Sequence, residues 1–254
     1  MSWSDLSDLL HASLLLPLLF GSFVIGTLVQ HRLPEAHRGP KTHEMLRLVI
    51  DMLVTFAAIV LGLLITNAKT TFDATGDDVR TYAIQIITLD QTLSSYGPEA
   101  AALHPLLVRY TQDVLAQTSH GLGAATTQRF GLLSRIEAGM LELPAVTNLQ
   151  RHLRDEALLQ LTQLQQERHR IGDEAHGQSS LSFYAVLTVW LMVVYGCFGL
   201  ITEHSLLGSL IIGLSVLAVV LALFVILDMN TPFAGLVVVS DAPLKEALRT
   251  IVAE

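Results

Sequence analysis

Four long apolar runs constrain this chain more than anything else in it. Leu9 to Gln30, Met45 to Ala68, Leu181 to Thr202 and Leu206 to Leu227 are each at least 22 residues long. As a helix, 22 residues reach about 33 Å, against a hydrocarbon core of about 30 Å. Gly208 to Leu227 carries no ionisable side chain, and Met45 to Ala68 holds a single acid, Asp51. The bulk values agree with a chain that lives in lipid. It is 51% hydrophobic and 15% charged over 254 residues, with a mean hydropathy of +0.51. The expectation is an all-α integral membrane protein with four transmembrane helices per subunit, the lipid bilayer being its first partner.

The runs divide the chain. Residues 1–68 form a first transmembrane hairpin, 69–180 an extramembrane helical domain, and 181–228 a second hairpin. Residues 229–254 then supply a turn, an apolar segment and a short helix. The opening "MSWSDLSDLL" has two acids and no base, which is the wrong start for a secretory signal, so the first run is expected to stay as a helix. The single cysteine, Cys197, falls inside the third span and reads as a small packing residue. Basic residues place the ends. Arg32, Arg38, Lys41 and Arg47 crowd the first connection and none precedes the first span, which puts that loop on the cytoplasmic side of a cell (inner) membrane and the termini and helical domain on the outer side.

The 69–180 segment has helical rather than strand periodicity. Val79, Ala83, Ile86 and Leu93 fall at helical spacing, and a second helix restarts after Pro98 with Leu103, Leu107, Tyr110 and Val114 on one face. "SHGLGAATT" reads as a linker. After Pro144, residues Val146, Leu149, Leu153, Ala157, Leu161 and Leu164 recur at steps of three and four. That stripe suits packing within one subunit or a seam between subunits.

Polar groups inside a bilayer are costly and have a reason to be there. On the second span Asp51, Thr55, Ala58, Gly62, Thr66 and Lys69 share one helix face. The third span repeats the theme more weakly in Tyr184, Thr188, Tyr195, Gly199 and Thr202. Small and hydroxyl side chains either let helices approach closely or line a wet path for small ions. Asp51 favours the second use, because close packing alone gives a buried carboxylate no task.

Other chemistry finds no footing. His31, His37 and His43 stand six apart, without the tighter pairs or thiols of a metal site, and "HEMLR" lacks the second histidine of a metalloprotease helix. Asp51 and Asp228 sit at opposite ends of their helices and cannot make an aspartyl dyad. No phosphate loop, nucleophile elbow or basic platform is present, and the net charge is −8, so neither nucleotide chemistry nor nucleic-acid binding is expected. A non-enzyme without cofactor or metal is the expectation, with no catalytic residue assigned.

The C-terminal stretch "LDMNTPFAGLVVVSDAPL" carries the family signal. Asp228 and Asn230 can close the last span by local turn bonds, and Pro232 stops the helix. Ser240 or Asp241 can cap "APLKEALRTIVAE", with Pro243 in its first turn. The signature Asp228, Pro232, Gly235, Ser240 and Pro243 resembles the C-terminus of the bestrophin-like family of membrane proteins. "LGLLITNAKTTFDA", "IQIITLDQTLSSYGPEA" and "LLVRYTQDVL" resemble that family too. The resemblance implies four spans with a helical region after the second, and, since bestrophins are pentameric anion channels, an oligomeric pore. It also implies a cytoplasmic helical region, opposite to the charge-based orientation. The phenylalanine-rich neck of bestrophins has no counterpart here, Phe56 standing alone on the second span.

Two functions are therefore carried forward. One is a homo-oligomeric passive ion channel lined by the second span, with the ion sign open. The other is a non-conducting sensor or scaffold, whose helical domain reads a ligand or partner and passes strain along a continuous helix from Thr55 to Asp78.

Overall fold

A computed structural model describes residues 3–32, 40–118, 126–175, 180–202, 206–233 and 235–253. They form eight α-helices and, among the described residues, no strand: α1 Trp3–Arg32, α2 Pro40–Tyr96, α3 His104–Thr118, α4 Thr126–Glu142, α5 Asn148–Ala175, α6 Ser180–Ile201, α7 Leu206–Met229 and α8 Ala242–Ala253. The chain divides into two compact units. One comprises residues 1–70 and 177–230, the other 71–176 and 231–254.

The first unit contains α1, the N-terminal part of α2, α6 and α7. Much of its exposed surface is apolar: Leu206 is 90% exposed, Leu210 70%, and Leu48 and Leu63 66% each. Leucines at that exposure would be costly in water and are at home in hydrocarbon. By length and composition Leu14–Arg32, Glu44–Tyr96 and Leu206–Met229 are each able to cross a membrane, and Ala185–Ile201 is a shorter apolar helix. Inside the unit, Leu19, Phe23, Leu187, Leu191, Val216, Val220, Leu223 and Ile226 pack together. The closest crossing is that of α1 on α6. A Cβ at Gly199 would lie 2.8 Å from the Thr27 nitrogen and 2.9 Å from the Gly26 Cα, so only glycine fits. Ser22 adds a hydrogen bond there, its hydroxyl donating to the Met192 carbonyl at 2.5 Å.

The second unit is organised the opposite way. Its core gathers Ile86, Leu89, Leu107, Tyr110, Leu133, Ile136, Met140, Leu161, Leu164, Ala247 and Ile251, all nearly inaccessible. Several polar groups buried with them are bonded. Tyr82 and Tyr110 share a hydroxyl–hydroxyl bond, and Tyr96 donates to the Pro144 carbonyl at 3.1 Å. His104 Nδ1 meets Asp90 Oδ1 at 2.8 Å, and Arg170 reaches Asp78 at 2.8 Å.

Several expectations meet a different chain here. The helix expected to be continuous from Thr55 to Asp78 runs on to Tyr96 as part of α2, 57 residues long. Pro98 opens only a short 3-10 turn after Gly97, whose φ of 118° suits glycine, and α3 starts at His104. The stripe after Pro144 is split. Ala157, Leu161 and Leu164 are buried in this unit's core, whereas Val146 and Leu149 are exposed. Helix α4 was not expected, although Leu132, Leu133, Ile136 and Met140 make its inner face. The C-terminal segment packs as part of the second unit through Leu244, Ala247 and Ile251. Most of the expected linker, residues 119–125, lies outside the described residues, as do His37 and residues 33–39 of the basic loop.

Candidate functional site

Within the first unit, α2 has three distinct faces. Ile50, Leu53, Ala57, Leu61, Leu64 and Ala68, at steps of three and four, are buried or half-buried against its own unit. Met52, Phe56, Ile59 and Leu63 form an exposed apolar ridge. Between these lies the polar face: Asp51, Thr55, Ala58, Gly62, Thr66 and Lys69 are all exposed. A Cβ added at Gly62 would meet nothing within 4 Å. No helix of the same subunit therefore packs on this face at its centre.

The chemistry of that face is one-sided. The Thr55 hydroxyl donates to the Asp51 carbonyl at 2.7 Å, and the Thr66 hydroxyl donates to the Gly62 carbonyl at 2.9 Å. Each hydroxyl has spent its proton on its own helix and turns lone pairs outward. Lys69 lies 18 residues from Asp51 on the same helix, about 27 Å along its axis. The two charges hence mark opposite ends of a neutral stretch.

The third-span residues have structural partners. Gly199 is buried against α1, and the Tyr195 hydroxyl bonds Ser215 Oγ of α7 at 3.1 Å. Thr188 is half-buried, and the side chain of Tyr184 lies outside the described residues. Cys197 is a half-buried free thiol. Trp190 was not anticipated. Its indole N–H donates to the Leu53 carbonyl at 3.2 Å, and its ring meets the partly exposed Phe56 edge-on at 6.3 Å. A residue three positions beyond Leu187 on an apolar helix gives no sequence signal for such a bond.

At the C-terminus, Asp228 is buried in the last turn of α7, and the Asn230 amide donates to the Leu227 carbonyl at 3.1 Å. In the second unit the Pro232 carbonyl accepts from the Val239 amide at 2.8 Å, closing a loop whose Gly235 has a φ of 117°. Val239 is buried, while Leu236 and Val238 stay exposed. Ser240 Oγ accepts from the Ala242 amide at 3.2 Å at the start of α8, where Pro243 sits in the first turn. These residues shape chain turns. Among the described residues no group of three or more His, Cys, Asp or Glu side chains gathers as metal ligands would.

The model of the bestrophin-like domain matches residues 18–244. The chain belongs to the bestrophin-like family. Solved structures agree on the fold of this bestrophin-like protein. Three point variants of a bacterial bestrophin homolog from Klebsiella pneumoniae superpose with TM-scores of 0.62, 0.61 and 0.60, at 14%, 13% and 16% sequence identity. The alignments cover 92%, 92% and 94% of this chain and 98%, 98% and 97% of those chains. A search of curated proteins gives no match.

Proposed function

We propose that this bestrophin-like protein is a homo-oligomeric, passive ion channel of the cell membrane. Four helices of each subunit span the bilayer, and copies of the α2 polar face line the path. The observation that carries the reading is the unpacked state of that face: six polar or small residues inside an apolar helix, exposed in the single subunit. A carboxylate in hydrocarbon needs water, ions or a neighbouring copy around it. Four helices alone cannot enclose a conduit, so several subunits are required, and family membership supports the same assembly.

From Asp51 to Thr66 the wall chemistry favours cations over the anions that the bestrophin resemblance suggests, with Lys69 the one opposite charge, at the far end. Thr55 and Thr66 turn oxygen lone pairs outward, and Asp51 repeats around one mouth as a ring of carboxylates that concentrates cations. Reversal potentials of reconstituted oligomers in a KCl gradient test this. The expected result is cation preference that weakens in Asp51→Asn, with flux reduced by Thr55→Leu. Anion preference unaltered by Asp51→Asn would remove Asp51 from this role. Absence of flux for either ion type in well-reconstituted oligomers would leave the sensor reading, which the unbroken helix α2, shared by both units, favours.

For orientation the basic first loop remains the guide, with the helical region and both termini outside. Single cysteines Gly39→Cys and Ser134→Cys, each combined with Cys197→Ser, report on it. An impermeant thiol reagent on intact cells is expected to label position 134 and spare 39; the reverse pattern places the helical region in the cytoplasm.

A further inference from the structure

We draw no further inference here: the strongest candidate, the apolar groove of about 520 Å³ between α2 and α6 lined by Leu53, Ala185, Val186, Val189, Trp190 and Val193, would accept an acyl chain or a helix of a second copy equally well, and nothing in the structure shows what covers it.

Discussion

The two halves of α2 obey opposite rules. From Met45 to Leu63 the exposed side chains are mostly apolar, Met45, Leu48, Met52, Phe56, Ile59 and Leu63 among them, with Arg47, Asp51 and Thr55 the polar exceptions. From Asp73 to Ser95 they are Asp73, Asp77, Arg80, Thr81, Thr88, Gln91, Ser94 and Ser95, with Ile84 the apolar exception. One uninterrupted helix is thus built for two solvents, and the units around it follow suit. The second unit hides its large apolar residues and bonds several of its buried polar groups, the pattern of a domain that faces water. The first exposes apolar surface and keeps its helices together through glycine contacts and a few hydrogen bonds. In hydrocarbon no hydrophobic force gathers helices, so close backbone approach carries more of the burden.

That difference predicts where each unit breaks. The largest effect is expected at the α1–α6 crossing. Gly199→Leu drives a side chain into the Phe23 carbonyl and the Thr27 amide, backbone atoms that cannot yield. Overpacking of this kind costs about 3 kcal/mol or more, enough to abolish monodisperse protein in detergent. Gly213→Leu is the control, because nothing lies within 4 Å of a Cβ there. Equal yields and melting temperatures for the two variants would show that glycine contacts do not hold the first unit.

The next effect contrasts leucine-sized residues across the units. Met140 is 0% exposed in the second unit, and Leu63 is 66% exposed in the first. Met140→Ala is expected to destabilise by about 2–5 kcal/mol through lost burial and a cavity. Leu63→Ala removes a mostly exposed side chain, and should leave subunit unfolding in detergent within about 0.5 kcal/mol. A large loss from Leu63→Ala in dispersed subunits would mean that this ridge is a core face after all.

How much of this the sequence foretold varies with the physics involved. Bilayer thickness imposes a length on apolar runs, so the helices α1, α6 and α7 and the first half of α2 were readable within a few residues. The face of Asp51 to Lys69 was readable as well, because helical periodicity places those six residues together whatever surrounds them. Its state of packing was not, since spacing alone cannot separate a helix seam from an open face. The continuity of α2 past Lys69 matches the helix expected from Thr55 to Asp78, since "TNAKTTFDATGDD" has no Pro and Gly76 alone does not end a helix. Helix α4 was missed because its inner face is short and its start follows a glycine-rich stretch. The long-range bonds from Trp190 to Leu53 and from His104 to Asp90 join residues whose pairing no local pattern records.

The smallest effect concerns that last pair. Asp90 is 1% exposed, its Oδ1 is held by His104 Nδ1, and its Oδ2 is buried with no hydrogen-bond partner. His104→Ala would strip the carboxylate of its donor and leave it buried, at about 1–3 kcal/mol. His104 is itself one-third exposed, so water entering the gap keeps the cost toward the lower figure. Removing both partners as Asp90→Leu with His104→Ala takes away the orphaned charge together with its donor, and should recover much of the loss. The two substitutions are therefore expected to be non-additive. Amide hydrogen exchange of the full chain in detergent reads this locally. Protection should fall around residues 86–107 in His104→Ala, return in the double variant, and stay unchanged in α7, which belongs to the other unit. A double variant exchanging as fast as His104→Ala, or α7 loosening in step with α3, would defeat the view that the second unit has a core of its own.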